Sequence, residues 1–100
     1  MRLDKYAIRY LTILSLLKKE PMIFVELWKS GCFKKENHLK WALDDLLDHC
    51  LIDRLGSPDC IVYVINGMGL KYLEAYPNFD LRIVLARAEM NRVIQRVEVS

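Results

Sequence analysis

Residues 34–51 read KKENHLKWALDDLLDHCL, and their apolar residues recur at the spacing of an α-helix. One stripe of that helix holds the residues at i, i+4, i+7 and i+11, which are Leu39, Leu43, Leu46 and Cys50. The opposite face is polar apart from Trp41. The helix begins near Lys35, unless Asn37 acts as its N-cap. This pattern predicts an amphipathic helix with one buried and one exposed side.

Two helices are expected before this stretch. Asp4 is a suitable N-cap for the first, whose apolar residues recur at helical spacing up to Lys19. Pro21 disfavours helical geometry at the residue before it, so the first helix should end there. The second helix should occupy residues 24–30 and bury Phe24 and Leu27, and the glycine at position 31 can end it with a positive φ.

A β-hairpin should follow the central helix. Residues 51–55 and 60–65 are rich in β-branched and apolar side chains, and the turn-forming sequence GSPD separates them. Asn66 can cap a fourth helix over residues 67–76, which ends before a proline and should bury Leu70 and Leu73. The predicted order is therefore three helices, a hairpin and a further helix.

A last helix is expected over residues 80–97. Its apolar residues alternate in spacings of four and three, the pattern of a coiled-coil seam, at Phe79, Ile83, Ala86, Met90, Val93 and Val97. The opposite side is apolar too in the first half, at Leu81, Val84, Leu85 and Ala88. A helix with two apolar sides needs burial on both. We expect one side to pack on its own domain and the seam to form a homodimer.

The composition indicates one ordinary globular domain of 100 residues, 53% of them hydrophobic. Its 15 basic and 13 acidic residues nearly balance, so any binding to nucleic acid must depend on local clustering of charge. The apolar runs are too short for a membrane span, and a cytoplasmic location is expected. Three widely spaced cysteines, at positions 32, 50 and 60, should be reduced and mostly buried thiols.

The order and spacing of these elements resemble a winged helix-turn-helix domain, in particular the small archaeal winged-helix DNA-binding proteins with a C-terminal dimerisation helix. The resemblance covers about residues 8–76 and includes Glu26-Leu27, the leucine stripe, Leu51-Ile52, and a closing pattern at Tyr63, Ile65, Gly69-Leu70 and Tyr72-Leu73. It implies a mostly α fold with a small β-hairpin. Residues 1–76 would form the winged domain and residues 77–100 a dimerisation element of the same domain. Cys50, Asn66 and Ile23 depart from the family's usual glycine, threonine and Ser/Thr, and the cysteine suggests a modified turn.

The same resemblance implies that the third helix, residues 35–49, enters the DNA major groove and that the wing flanks the duplex. Four lysines and one glutamate between positions 29 and 41 give that region a local positive charge. Lys34, Lys35 and Lys40 would contact phosphates. The candidates for reading bases or grooves are Asn37, His38 and Trp41, and Arg54 would add a minor phosphate contact from the wing. The resemblance thus implies a small homodimeric transcriptional regulator that binds DNA sequence-specifically, and its implied partners are double-stranded DNA and a second copy of the chain.

Several alternatives stay open at the level of sequence. The lysines could form an ordinary solvated surface, and Trp41 could be covered by the first helix or by a second copy. The domain could be a protein-interaction module in which Trp41, Asp44 and Asp48 meet a partner protein, or an architectural DNA-binding protein without sequence preference.

No arrangement of residues predicts catalysis or a cofactor. Asp45, His49 and Cys50 are close in sequence, but consecutive positions on a helix point in different directions, which disfavours a metal site. The Gly67-Met68-Gly69 segment is too short for a dinucleotide-binding loop. The expectation is a binding protein and not an enzyme.

Overall fold

The computed structural model describes the backbone of residues 4–99 and the side chains of residues 4–90. This part of the chain forms five helices and three strands. In chain order they are α1 (Lys5–Lys19), β1 (Met22–Ile23), α2 (Phe24–Lys29), α3 (Glu36–Asp48), β2 (Ile52–Ser57), β3 (Cys60–Ile65), α4 (Gly67–Glu74) and α5 (Leu81–Val99). The predicted succession of helices and hairpin is confirmed. Strand β1 is an addition to it.

The sheet is antiparallel and has the order β1-β3-β2. Met22 pairs with Tyr63 and Ile23 with Val62, so the hairpin is joined to the segment before α2. A strand of two residues is too short to show an alternating pattern, and only its distant partner defines it. Ile23 cannot cap α2 with its side chain, and its N–H instead donates to Glu26 Oε1 at 3.1 Å.

The core lies between α1, α3 and the sheet. Leu39, Leu43 and Leu46 are buried as the stripe predicted. They pack with buried residues of α1 and α2, the loop after α2 and the first strand of the hairpin, including Leu14, Leu17, Leu27, Phe33 and Ile52. Helix α3 begins at Glu36 with Lys35 in the N-cap position, so the alternative that placed Asn37 there is wrong.

Helix α3 ends in a Schellman motif. The N–H of Leu51 donates to Leu46 O at 2.9 Å and that of Cys50 donates to Leu47 O at 3.0 Å. Cys50 has a φ of 58°, the left-handed conformation that this position requires. The expectation of a modified turn was therefore wrong, because the cysteine adopts the geometry that a glycine would have. The prediction that Cys50 continues the buried stripe was also wrong, since the helix has ended and the side chain is exposed.

Replacing Cys50 with glycine should raise the free energy of unfolding by about 0.5–1 kcal/mol. A left-handed conformation costs a side-chain-bearing residue roughly 1–2 kcal/mol, and the greater freedom of glycine in the unfolded chain offsets part of that gain. Urea unfolding would measure the difference. Cys50→Ala is the control, because it removes the thiol and keeps a Cβ at the same φ of 58°. If both variants changed stability equally, backbone strain at this position would not be the cause.

Helix α4 is joined to the end of α3 by the side chain of Asn66. The predicted cap is confirmed: Asn66 Oδ1 accepts from the Gly69 N–H at 2.9 Å. Its Nδ2 also donates to Cys50 O at 2.8 Å, a bond that a threonine has no amide to make. Leu73 packs against the core as predicted, but Leu70 is exposed, and the buried position on this helix is Gly69.

The prediction that the three cysteines are mostly buried is wrong. All three thiols are free. Cys50 and Cys60 are nevertheless exposed, and only Cys32 is partly buried. Cys50 lies beyond the last residue of α3, and Cys60 lies at the start of β3, next to the turn of the hairpin. Neither side chain is therefore in the core.

Candidate nucleic-acid interface

The outer face of α3 is exposed along its length. Lys34 and Lys35 lie in the two residues before the helix, and the first turns of the helix present Asn37, Lys40 and Trp41 to solvent. Their exposure follows from the burial of the leucine stripe on the opposite side. Of the seven residues predicted for DNA contact, the structure places five on this exposed face, with His38 half-buried beside α1 and Arg54 apart on β2.

Trp41 has 60% of its surface exposed, which is unusual for so large an apolar side chain. The described part of the chain therefore excludes the alternative that the first helix covers this residue. Its ring lies 6.0 Å from that of His38, centroid to centroid, and the two planes are inclined by 39°. A planar apolar surface is thus available beside polar side chains on the face that would approach a partner.

Lys40 makes two weak contacts. Its Nζ lies 3.4 Å from Glu36 Oε1, and the side chains of both residues are more than half exposed. The ammonium also lies 5.9 Å from the centre of the Phe24 ring. An exposed ion pair of this kind contributes little to stability, so exchanging the carboxylate for a phosphate would cost little. Lys40 can therefore act as a phosphate contact.

His38 faces α1 more than solvent. It is half-buried, and Arg9 Nη2 lies 3.2 Å from its Nδ1, so the guanidinium donates to a neutral imidazole. Partial burial, and then the positive charges of Arg9, Lys35 and Lys5, lower the pKa of His38. Sequence reasoning missed Lys5 and Arg9. Their spacing of four residues, which puts two cations on one face of α1, was the available signal.

A second contact between α1 and α3 lies further along. Tyr10 donates its hydroxyl proton to Asp45 Oδ2 at 2.7 Å. This hydrogen bond to the carboxylate, with partial burial, raises the pKa of Tyr10 to about 12. Asp45 was considered as a metal ligand with His49, but His49 Nδ1 donates to the Asp45 main-chain carbonyl at 2.8 Å. No group of three or more His, Cys, Asp or Glu side chains that could hold a metal occurs among the described residues.

Tyr10→Phe should lower the free energy of unfolding at pH 7 by about 1 kcal/mol, because it removes a hydrogen bond to a partly exposed carboxylate. The folded-state pKa of Tyr10 is raised, so this stabilisation is present below pH 10 and is lost as pH rises towards about 12. Denaturant unfolding at pH 7, 10 and 11.5 would check both effects. The variant and the wild type should converge in stability at the highest pH. A difference that stays constant with pH would contradict the assignment.

The wing contributes little positive charge. Arg54 is exposed and pairs in register with Tyr63, several residues from the tip at Pro58 and Asp59. An open cleft of about 330 Å³ lies between this tip, the start of α2 and Lys40. Gly56, near the tip, has a φ of +99°, and a Cβ there would lie 2.1 Å from Cys60 O, so the hairpin geometry depends on this glycine.

Helix α5 divides its apolar residues between two sides. Leu81 and Ala88 are buried and Leu85 packs against the core. Ile83 and Met90 are 54% and 67% exposed, and Ala86 is also exposed, on the side predicted as a dimer seam. Phe79, assigned to the same seam, packs partly against the core. Val93 and Val97 were predicted for the same seam, and their side chains lie outside the described residues.

Comparison with known proteins supports the fold. No family model and no curated protein matches the chain. Among solved structures, it is similar to one described as a PadR family transcription regulator from hypervirulent Clostridium difficile R20291. The two share 21% identity with a TM-score of 0.64, over 86% of this chain and 97% of that one. None of the described helices has the length and hydropathy needed to cross a bilayer. The shared architecture and the order of elements show that this chain has a winged-helix fold.

Proposed function

We propose that this protein is a homodimeric transcriptional regulator that binds double-stranded DNA in a sequence-specific manner. The observation that carries the proposal is the exposed outer face of α3, where Asn37 and Trp41 stand beside Lys34, Lys35 and Lys40. Helix α3 would enter the major groove with its N-terminal half. The lysines would contact phosphates, and the amide and the indole would contact base edges or a thymine methyl group. The structural neighbour described as a transcription regulator has the same fold, which supports this assignment.

The acidic half of α3 would stay outside the groove. Asp44 and Asp48 are exposed, and carboxylates close to phosphates would oppose binding. Asp45 is held by Tyr10 against α1. The charge along the helix therefore changes from basic at its start to acidic at its end, and this favours an approach to the duplex through the first two turns.

Dimerisation would use the exposed side of α5. Ile83, Ala86 and Met90 lie on the side opposite the buried residues of that helix, where a second copy could cover them. Two copies related by a two-fold axis would present two α3 helices to successive major grooves, provided that the helices lie about 34 Å apart. A palindromic recognition sequence would follow from that symmetry.

A second candidate function follows from Trp41. An exposed tryptophan flanked by Asp44 and Asp48 is also suited to a protein partner. Binding of that kind would depend weakly on salt and be lost in Trp41→Ala. DNA binding would depend strongly on salt.

Selection of duplexes from a random DNA pool, at about 100 mM salt, where exposed charges are already substantially screened, would test the first function. We expect a two-fold symmetric motif that is not recovered with Trp41→Ala or Lys35→Glu. If the folded protein bound DNA with no sequence preference, an architectural role would replace sequence-specific regulation. If it bound no DNA at all, the protein-interaction function would be favoured.

A further inference from the structure

The N-terminal part of α1 has positively charged residues that lie beside the first turn of α3. Arg9 bonds to His38 at 3.2 Å, and Lys5 and Lys35 are near enough to affect the titration of the same ring. Lys5 Nζ and Arg9 Cζ also lie over the ring of Tyr6, at 5.2 and 5.5 Å from its centre. We call Lys5, Arg9 and Lys35 the α1 basic cluster. It joins α1 to the start of α3 through His38.

The nearby carboxylates have other partners. Asp4 Oδ1 accepts from the Ala7 N–H at 2.7 Å as the cap of α1. Glu36 is paired with Lys40. Each group that shifts the His38 pKa by its charge is a cation. Three positive charges gathered around one imidazole repel one another, and an anion would relieve that repulsion.

The cluster also has hydrogen-bonding capacity to spare. A guanidinium has more N–H donors than the single bond from Arg9 to His38 uses, and its planar fork suits a phosphate. His38, by accepting that bond, holds the guanidinium beside the exposed face of α3. Lys5 and Lys35 add two compact positive charges that act on the same imidazole.

We propose that the α1 basic cluster binds a backbone phosphate of the DNA next to the groove that α3 enters. This inference rests on the proposed function and extends it, because it makes α1 a part of the DNA-binding surface as well as of the core. Two elements would then contact the duplex: α3 would lie in the major groove, and α1 would bind a phosphate of the DNA strand beside that groove. The contact carries no sequence information and fixes the orientation of α3.

The test is a set of single-charge variants measured against a mixed-sequence duplex of about 30 base pairs, long enough for two half-sites one helical turn apart. Arg9→Gln and Lys5→Gln each remove one charge from the cluster. Lys19→Gln is the matched control. It makes the same change on an exposed residue at the other end of α1, about 21 Å along the helix from Lys5. Affinity is measured from about 50 to 200 mM salt, after unfolding curves establish that each variant is folded.

We expect Arg9→Gln and Lys5→Gln each to weaken binding about 5- to 10-fold near 100 mM salt. Each should also reduce the slope of log affinity against log salt by about 1, whereas Lys19→Gln should match the wild type. If wild type binds and the cluster variants bind equally well, or if Lys19→Gln loses as much as Lys5→Gln, the inference is overturned and the proposed function stands. If the wild type binds no duplex even at 50 mM salt, both fail together.

Discussion

Reversing the charge at both Lys35 and Lys40 should weaken binding to the selected duplex on the order of 100-fold at about 100 mM salt. Each lysine that neutralises a phosphate releases counterions, which contributes nearly tenfold in affinity at that salt concentration. Glutamate at either position would add repulsion from the same phosphate. The slope of log affinity against log salt should fall by about 2, because two contacts are lost.

The matched control is the double variant Lys18→Glu/Lys19→Glu. It changes the net charge by the same amount on exposed residues at the end of α1. Fluorescence anisotropy with a labelled duplex would measure both proteins, and circular dichroism would establish that both are folded. Equal losses in the two variants would mean that net charge governs binding, and the assignment of α3 as the reading helix would then be wrong.

Gly69→Ala should lower the free energy of unfolding by about 3 kcal/mol, because the added methyl group would overlap neighbouring atoms in a closely packed part of the core. A Cβ at Gly69 would lie 2.2 Å from Leu51 O and 2.7 Å from Ile65 Cγ1. The main-chain carbonyl cannot move freely, because Leu51 closes the Schellman motif of α3 and its oxygen accepts the Asn66 N–H. Helix α4 would have to move away from the wing and from Leu14.

Gly67→Ala is the control for that variant. It makes the same change in the first turn of the same helix, at a position with no atom within 4 Å of the added Cβ. Its stability should stay the same or rise by up to about 1 kcal/mol, since alanine favours a helix. Thermal unfolding separates the two outcomes easily, because about 3 kcal/mol corresponds to a midpoint shift of more than about 10 °C in a domain of this size. Similar unfolding midpoints for the two variants would show that α4 can move away from Leu51 and Ile65 with little loss of stability.

The regular elements could be predicted because their signals are local. The leucine stripe of α3, the Asp4 and Asn66 caps and Gly31, whose φ is 77°, follow from rules that act over one or two turns. Strand β1 could not be predicted, because its two residues are defined only by their pairing with β3. The prediction that Leu70 is buried was wrong because α4 contacts the wing through Gly69. With Gly69 facing the wing, the next residue, Leu70, points towards solvent.

The candidate interface divides in the same way. Charge and amphipathic pattern predicted that Lys34, Lys35 and Lys40 lie at or near the start of α3 and that Trp41 lies opposite the stripe, and all four residues are exposed. These patterns could not predict the contact between Arg9 and His38. The two residues are 29 positions apart in sequence, and their contact depends on how α1 crosses α3. Nor could these patterns decide the exposure of Trp41, which depends on whether another element covers that face of the helix.

By itself, then, the sequence determined the order of the helices and the hairpin, the buried side of α3 and the two apolar sides of α5, because periodicity and caps are properties of neighbouring residues. Only the tertiary structure decided which side chains from distant elements share a surface. It placed Arg9 and Lys5 beside His38. The physical reason is that such contacts depend on how helices pack across the core, and no local pattern in the chain records that packing.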